Sequence, residues 1–524
     1  MTVMSGLSRK LSRGGRRQTA DDQASFAGGL NAAADPLHVG RDEFVRGENC
    51  LLTDFGAIVK RRGTQRTHES VFAAAIQGGF SWTPVTTTSE LVVAGGTLYT
   101  SAYGIPMTWT AQGGTLASTG VIGFASYRDV GNADVAYIAD GGPLNKWNGT
   151  TLTTNLASTP NVRRLAVQND RLWGVTGDSN ILYGSALGNG DSLGVAGSGG
   201  GSFAIATYGA QQIVEIVALG SSLILVQRGA ISRFTGWTAD DFNVLAGTRG
   251  VSSDVGTVCA TSVLTNEQTA YLLSDNGFYA VTENGVQLVS TTLRPLLARL
   301  SQSDWSGVRA AHYAALFELR WYIPNLGVMV FNYALNKWTG PLTGIYTDSP
   351  VVALWSTVDE DDKPIVLSAH EDLFVRRTER PSGVCKDDVL YNGSGGDRYS
   401  LVAKCRRLFC GDAVATKAYR TAWVTCNLRT STRAVLIVET DSDSAIVPFP
   451  TDPASGEWDV DGGAWDNELT GGALPWYWGG VAYDNKRVPL TGHGEWVDLT
   501  IQDDGISESV FARVDLRAFV LGER

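Results

Sequence analysis

Histidine and cysteine are scarce in this chain of 524 residues, and their positions argue against a metal centre. The five histidines are dispersed, whereas a zinc site needs its ligands close together. The six cysteines are also scattered, unlike those of a small disulfide-stapled secreted domain. Cys405 and Cys410 lie five residues apart in a strand-like run, so alternation places them on opposite faces. We therefore predict reduced, mostly buried thiols and no metal or other cofactor.

The chain also lacks long apolar runs and two common catalytic motifs. No run of 18 apolar residues occurs, so no membrane span is predicted. The Arg-rich start has no apolar core after it and does not resemble a secretory signal. Neither a His-Glu-x-x-His helix nor a phosphate loop is present. We predict that the protein is not an enzyme, although the spatial pairing of glycosidase carboxylates stays open.

Charged residues make up only 18% of the chain, whereas glycine and aromatic residues are abundant. With 61 Gly, 17 Tyr, 17 Phe and 15 Trp, the composition favours turn-rich β structure. A formal net charge of −11 disfavours nucleic-acid binding over the whole surface. It does not exclude a channel through which DNA slides without sequence-specific binding.

A strand, a turn and a second strand recur between residues 70 and 380. The steps between successive anchor residues are 46, 38, 49, 47, 52 and 43 residues. This is the length of one four-stranded propeller blade, so we predict a six- or seven-bladed β-propeller; a series of β-sandwiches is the alternative. The anchors are Leu98, Leu144, Leu182, Ile231, Phe278, Val330 and Leu373.

A six-residue phrase occurs twice, as Leu144–Gly149 and Leu335–Gly340, 191 residues apart. Each copy has an apolar residue, a polar pair, Trp and a Gly turn. Since the interval equals about four blade steps, the phrase is predicted to mark equivalent strand ends in two blades.

The segments outside the repeat have their own patterns. Residues 1–24 are predicted to be a flexible basic arm, and residues 25–69 an ordered segment that docks on a neighbour or closes the propeller. Within this segment, residues 41–52 could form a short helix. Residues 291–301 are predicted to be an amphipathic helix, and residues 381–524 a separate antiparallel β-sandwich domain.

Two acidic clusters and one aromatic cluster stand out. Asp359, Glu360, Asp361 and Asp362 are predicted to be a solvated hairpin tip. Asp459 and Asp461 resemble part of a calcium loop, but the required Glu is missing, so a turn is preferred. The dense aromatic residues are predicted to fill a core or an interface, with sugar stacking as the alternative. They are Trp458, Trp465, Trp476, Tyr477 and Trp478.

Several stretches, taken in order, resemble the tail nozzle or hub proteins of short-tailed bacteriophages, also described as packaged-DNA stabilisation proteins. The resemblance covers about residues 25–340, and its order is more specific than any one motif. The stretches are Phe26–Asn31, Glu48–Asn49, Gly56–Gly63, Leu223–Val226, Gly229–Ile231, Phe234–Gly236, Leu272–Tyr279, and Val330–Tyr333 leading to Trp338.

This resemblance implies a structural virion protein, assembled in the bacterial host cytoplasm and located in the tail. Its expected state is a hexameric ring below the portal and its adaptor, the head-tail connector, with tail fibre, spike or needle proteins beside or below it. The ring would continue the DNA channel and retain the genome until ejection. Six chains would carry a formal charge of −66, six times −11, which would repel DNA from the wall.

Two sets of residues are candidates for these roles. The acidic loop Asp359–Asp362 is a candidate lumen or gate element, and the N-terminal segment supplies candidate docking or assembly residues. The rival functions are a carbohydrate-binding propeller, such as a receptor-binding tail protein, and a propeller glycosidase. The candidate docking residues are Phe26, Asn31, Asn49, Lys60 and Arg61.

Overall fold

The fold is all-β in a computed structural model of the chain. The described helices are single turns, namely Gly190–Ser192, Ala260–Ser262, Thr291–Leu293, Arg294–Leu297, Gln302–Ser306, Ala314–Leu316 and Ile345–Asp348. The structure describes residues 18–35, 38–85, 88–129, 131, 133–197, 199–206, 208, 211–235, 248–266, 268–380, 384–411, 413–428, 433–449 and 484–522.

Six short strands come before the repeat region. They are β1 (Gln18–Gln23), β2 (Gly29–Leu30), β3 (Glu43–Glu48), β4 (Cys50–Leu52), β5 (Ile58–Lys60) and β6 (Gln65–Arg66).

Seven four-stranded antiparallel sheets follow in the described chain, and in the first six the strands pair in chain order. The first three sheets are β7 (Ile76–Trp82), β8 (Ser89–Ala94), β9 (Thr97–Ser101) and β10 (Thr110–Ala111); β11 (Gly123–Arg128), β12 (Asp134–Ala139), β13 (Asn145–Trp147) and β14 (Leu152–Thr153); and β15 (Arg164–Gln168), β16 (Arg171–Val175), β17 (Ile181–Gly184) and β18 (Gly201–Ala204). The next three are β19 (Ile213–Leu219), β20 (Ser222–Gln227), β21 (Ile231–Phe234) and β22 (Thr248–Ser252); β23 (Leu264–Asn266), β24 (Thr269–Ser274), β25 (Gly277–Thr282) and β26 (Gly285–Leu288); and β27 (Arg309–Tyr313), β28 (Glu318–Ile323), β29 (Gly327–Asn332) and β30 (Lys337–Leu342). The seventh contains β31 (Val351–Val358), β32 (Pro364–His370), β33 (Val375–Arg377) and the N-terminal β6.

The second strand of each sheet is buried along almost its whole length. Strands β20 and β28, for example, contain only buried residues. A strand covered on both faces needs apolar side chains at successive positions, which explains runs such as Leu223–Val226. The third strands follow directly, and every anchor of the sequence period lies in or just before one of them. The predicted strand–turn–strand repeat is therefore confirmed.

The seven sheets form a closed circle. Strands β7, β11, β15 and β19 contact one another in succession, and β19 contacts β24 of the fifth sheet. Contacts of β23 with β27, β27 with β31 and β31 with β7 complete the circle. An apolar cluster fills the space between each pair of neighbouring sheets, including the seventh and the first. Burial of these facing surfaces is the main stabilising term of the circle.

The repeated six-residue phrase does not mark equivalent strand ends. Its first copy lies in β13, the third strand of the second sheet, whereas its second copy lies in β30, the fourth strand of the sixth sheet. Asn145 begins a strand, but Asn336 sits in the turn before β30 with a φ of 55°. The two copies do lie four sheets apart, as predicted. They are not at equivalent positions, because the same residue types adopt different local conformations in the two sheets.

Two larger sheets combine both ends of the described chain. Their additional strands, with the small pair β34 (Lys386–Asp387) and β35 (Asp397–Arg398), are β36 (Leu401–Cys405), β37 (Thr416–Asn427), β38 (Ala434–Thr440), β39 (Ser444–Pro448), β40 (Asp484–Pro489), β41 (His493–Gly494), β42 (Val497–Asp503) and β43 (Val510–Gly522). One large sheet is ordered β4-β5-β43-β37-β40, with β1 on β43 and β41 on β37. The other is ordered β2-β3-β36-β42-β38-β39. Residues of both sheets share one apolar cluster, which also reaches the fifth and sixth sheets of the circle.

Three local expectations need correction. The flexible arm was expected to reach residue 24, but residues 18–23 form β1, which pairs with β43. The helix expected within residues 41–52 is wrong, because β3 pairs with β36 and tertiary pairing outweighs local preference. The helix expected over residues 291–301 is confirmed only as one 3-10 turn followed by the single α turn Arg294–Leu297.

The segment of residues 25–69 divides between the two parts of the fold. Only β6 joins the circle, while β2 to β5 join the larger sheets.

Candidate functional site

Arg61 is the centre of a buried polar junction between the circle and the larger sheets. Its guanidinium donates to both carboxylate oxygens of Asp387, at 2.7 and 2.5 Å, and to the carbonyl of Thr343 at 2.8 Å. The ring of Tyr399 lies 3.8 Å below the guanidinium carbon. Burial opposes the charge of Arg61, but the Asp387 carboxylate outweighs it and raises the pKa of Arg61. We call Asn49, Arg61, Thr343, Asp387 and Tyr399 the Arg61 junction.

Asn49 completes this junction from the turn between β3 and β4. Its side-chain carbonyl accepts hydrogen bonds from Arg61 Nε and from the Thr343 backbone, both at 2.9 Å. Its amide donates to the Thr343 hydroxyl and to the Ser400 carbonyl, also at 2.9 Å. Asn49 has a φ of 54°, a conformation that Asn adopts more readily than most residues. Its side chain therefore satisfies four partners from three separate segments.

Lys60 makes a second buried contact with the C-terminal strands. Its ammonium donates to the carbonyls of Asp503 at 2.8 Å and Gly505 at 2.5 Å, and the Asp503 carboxylate lies 3.9 Å away. Burial lowers the pKa of Lys60, and the Asp503 charge partly offsets this. Lys60 and Arg61 thus bind within their own chain, and their side chains are fully buried.

The remaining docking candidates also make internal contacts. Phe26 is fully buried and packs edge-on against Phe44, with ring centroids 6.1 Å apart. Asn31 donates to the Glu43 carboxylate at 2.8 Å. The structure therefore brings the five candidates into one N-terminal segment that connects parts of the same chain.

The acidic cluster forms the hairpin tip between β31 and β32. Asp359 is 11% exposed, accepts hydrogen bonds from the Asp361 and Lys363 backbone at 3.0 Å, and pairs with Arg377 at 3.1 Å. Burial opposes the charge of Asp359, but these contacts outweigh it and lower its pKa. Glu360, Asp361 and Asp362 are exposed. Only three of the four predicted residues are therefore solvated, because Asp359 is used to build the turn.

A cavity of about 290 Å³ lies where the seven sheets converge, and we call it the axial cavity. Small residues make room for this convergence. A Cβ atom on Gly79 would lie 2.4 Å from the ring of Trp355, and one on Gly123 would lie 2.4 Å from the carbonyl oxygen of Arg163. Every sheet or the turn before it contributes lining residues, so the cavity exists only when the circle is closed.

Three charged side chains line the axial cavity. Arg164 Nε lies 3.2 Å from Glu215 Oε2, and Glu215 Oε1 accepts a hydrogen bond from the Ile216 backbone at 3.0 Å. Burial raises the pKa of Glu215 to about 7, although Arg164 and the Ile216 amide oppose the rise. The third side chain, Arg309, donates to the Val352 carbonyl at 2.8 Å.

Sequence reasoning did not identify Arg164, Glu215 or Arg309. Each is a single charged residue on a different first strand, and no local motif connects them.

Two clusters singled out in the sequence lie outside the described residues. They are the aromatic cluster Trp458, Trp465, Trp476, Tyr477 and Trp478 and the acidic turn at Asp459 and Asp461. All six cysteines are buried. Across the described ranges, no group of three or more His, Cys, Asp or Glu could hold a metal, and no helix is long and apolar enough to cross a membrane.

Comparisons with known proteins give only distant likenesses. No family model matches the chain, and no curated protein matches it. Among solved structures, the extracellular domain of a hybrid two-component system from B. thetaiotaomicron has a TM-score of 0.42 and 10% identity, over 62% of this chain and 40% of that one. PorZ of the Porphyromonas gingivalis type-IX secretion system has a TM-score of 0.38 and 13% identity, over 64% and 42%. Virginiamycin B lyase from Staphylococcus aureus has a TM-score of 0.40 and 10% identity, over 60% and 99%. The chain thus spans less than half the length of the first two, and at these scores none of the three carries a functional argument.

Proposed function

We propose that the chain is a subunit of the tail nozzle of a short-tailed bacteriophage. In this proposal, each four-stranded sheet is one blade of a seven-bladed β-propeller, closed by β6, and the two larger sheets form a β-sandwich. Six copies form a ring below the adaptor, continue the DNA channel and retain the genome until ejection. Fibre, spike or needle proteins attach beside or below the ring.

The Arg61 junction is the observation that carries the proposal. A nozzle subunit bears the outward force of the packaged DNA and must transmit it between its parts without hinging. Asn49 and Arg61, from two of the stretches that carry the family resemblance, join the sixth sheet to the segment that leads into the larger sheets. Buried hydrogen-bonded charges of this kind are costly to separate, which favours one rigid subunit.

The exposed acids of the β31–β32 hairpin support a role beside DNA. Glu360, Asp361 and Asp362 project into solvent, so in a ring they could repel phosphates from a channel wall. We assign them to the lumen, with Asp359 as the residue that holds the turn. DNA would then slide without sequence-specific contacts, and narrow loops would retain it.

The direct test of the proposed function is the assembly state and image of the purified full-length protein. We expect a mass of six chains, alone or after addition of the adaptor, and a six-fold ring with an open axis in electron micrographs. A monomer that stays monomeric with the adaptor present would overturn the proposal. Specific binding on a glycan array by that monomer would favour the carbohydrate-binding alternative.

The lumen assignment has its own test in phage particles. The variant Glu360→Gln/Asp361→Asn/Asp362→Asn keeps Asp359 and removes three negative charges per chain, so we expect slower DNA release. Its control, Asp178→Asn/Asp275→Asn/Asp348→Asn, removes three exposed charges from turns elsewhere in the circle and should release DNA normally. Equal release rates for both variants would remove the hairpin from the lumen while leaving the ring proposal intact.

A further inference from the structure

Two arginines and only one carboxylate line the axial cavity, so one positive charge has no negative partner. Arg164 and Glu215 form a pair, with 15% and 13% of their side chains exposed. Arg309 lines the same cavity, and among the described residues no carboxylate lies within ion-pair distance of it. Arg309 is half-buried, and a guanidinium withdrawn from water without a counter-charge is unfavourable, so the site favours an anion from outside the chain.

The contacts of Arg309 leave part of its guanidinium available to a ligand. Nε donates to the Val352 carbonyl at 2.8 Å, and Nη1 donates to the Val308 carbonyl at 2.9 Å and the Thr261 hydroxyl at 3.1 Å. These neutral acceptors fix the orientation of the side chain. Within the described chain, Nη2 has no hydrogen-bond partner. Burial lowers the pKa of Arg309, as expected for a cation without a nearby carboxylate.

The remaining walls indicate the body of the ligand. Phe80 and Phe124 stack with an interplanar angle of 1° and ring centroids 5.4 Å apart, and both line the cavity. Leu165, Val263 and Leu354 add further apolar surface. A volume of about 290 Å³ equals roughly ten water molecules, which is room for a small aromatic or aliphatic molecule.

We propose that the axial cavity is a binding site for a small organic monocarboxylate whose anionic group pairs with Arg309. While Glu215 is ionised and balances Arg164, the one remaining positive charge matches a monoanion better than a dianion such as phosphate. A planar carboxylate also suits the planar guanidinium. The apolar wall would cover the rest of the molecule. This proposal does not depend on the nozzle function.

The test is calorimetric titration of the full-length protein with benzoate, in chloride-free buffer of low ionic strength. We expect one benzoate per chain and no saturable binding of benzamide, its neutral counterpart. Arg309→Gln should weaken benzoate binding about tenfold or more, because a charge-assisted hydrogen bond is lost. Arg294→Gln, which removes an exposed arginine elsewhere, should leave it unchanged.

A crystal of the unchanged protein soaked with 4-bromobenzoate keeps the proposal testable even if Arg309→Gln does not fold. An anomalous bromine peak in the axial cavity, with the carboxylate at Arg309, would support the site. An empty cavity, equal affinity for benzoate and benzamide, or unchanged binding by folded Arg309→Gln would overturn it. Tighter binding of inorganic phosphate than of benzoate would overturn the monocarboxylate class.

Discussion

The guanidinium of Arg61 and the carboxylate of Asp387 form a two-point ion pair, with Arg61 fully buried and Asp387 4% exposed. Removing one partner of such a pair leaves the other charge buried and unbalanced. We therefore expect Arg61→Ala to lower the free energy of unfolding by about 3–5 kcal/mol, as measured by urea denaturation. Arg61→Lys should recover only part of this loss, because a lysine cannot form the two-point contact.

The neighbouring Arg62 provides a matched control for this measurement. Its side chain is 43% exposed, and its nitrogen lies 3.7 Å from the Glu508 carboxylate. Exposed ion pairs contribute little, so Arg62→Ala should cost less than about 1 kcal/mol. Equal losses for the two alanine variants would show that the Arg61 junction does not hold the two parts together.

Strand β1 makes a prediction about truncation. Its six residues pair with β43, and Asp21 and Asp22 form ion pairs with Arg406 and Arg41. Deleting residues 1–24 removes these contacts, so the Tm should fall by several degrees in calorimetry. Deleting only residues 1–17 leaves β1 in place and serves as the comparison, so the longer deletion should lower the Tm further. A normal Tm after the longer deletion would mean that β1 does not stabilise the fold.

The two copies of the repeated phrase predict different costs for the same substitution. Trp338 Nε1 donates to the Val289 carbonyl at 2.7 Å, whereas the buried Nε1 of Trp147 has no acceptor among the described residues. Both side chains are 3% exposed, so replacement by Phe removes similar apolar area. Trp338→Phe should therefore cost about 1–3 kcal/mol more in urea denaturation than Trp147→Phe. A larger cost at Trp147 would contradict this assignment.

These two tryptophans also show how far sequence reasoning reaches. The interval between them was right because a chain that repeats four-stranded sheets must repeat its buried strands at a similar step. Their equivalence was wrong because identical residues can begin a strand or form the turn before one. Short-range patterns therefore predicted the sheets, but not the position of each phrase within its sheet.

The larger sheets and the axial cavity depend on contacts that no local pattern contains. Residues 18–23 are polar and cannot order alone, so a local pattern predicts a flexible arm. They form a strand because Gln18 pairs with Phe519, almost the full length of the chain away. Arg164, Glu215 and Arg309 come together only because the first strands of different sheets converge on one axis. Sequence could predict the acidic hairpin tip, by contrast, because it lies within one turn.

Glu215 makes the proposed carboxylate site sensitive to pH. Its pKa of about 7 means that lowering the pH from 8 to 6 neutralises most of it. The other charged groups that face it are two arginines, Arg164 beside it and Arg309 on the cavity wall, and no histidine lines the cavity. The net charge of the cavity therefore rises by one as the pH falls, while benzoate stays ionised.

Benzoate should bind several-fold more tightly at pH 6 than at pH 8 in calorimetric titrations. Glu215→Gln removes the titrating group, so its affinity should be nearly independent of pH and close to that of the unchanged protein at pH 6. The control is His493→Gln, which replaces an exposed histidine and should preserve the pH dependence of benzoate binding. An affinity that rises with pH, or a pH dependence that persists in Glu215→Gln, would show that Glu215 does not set the charge of the axial cavity.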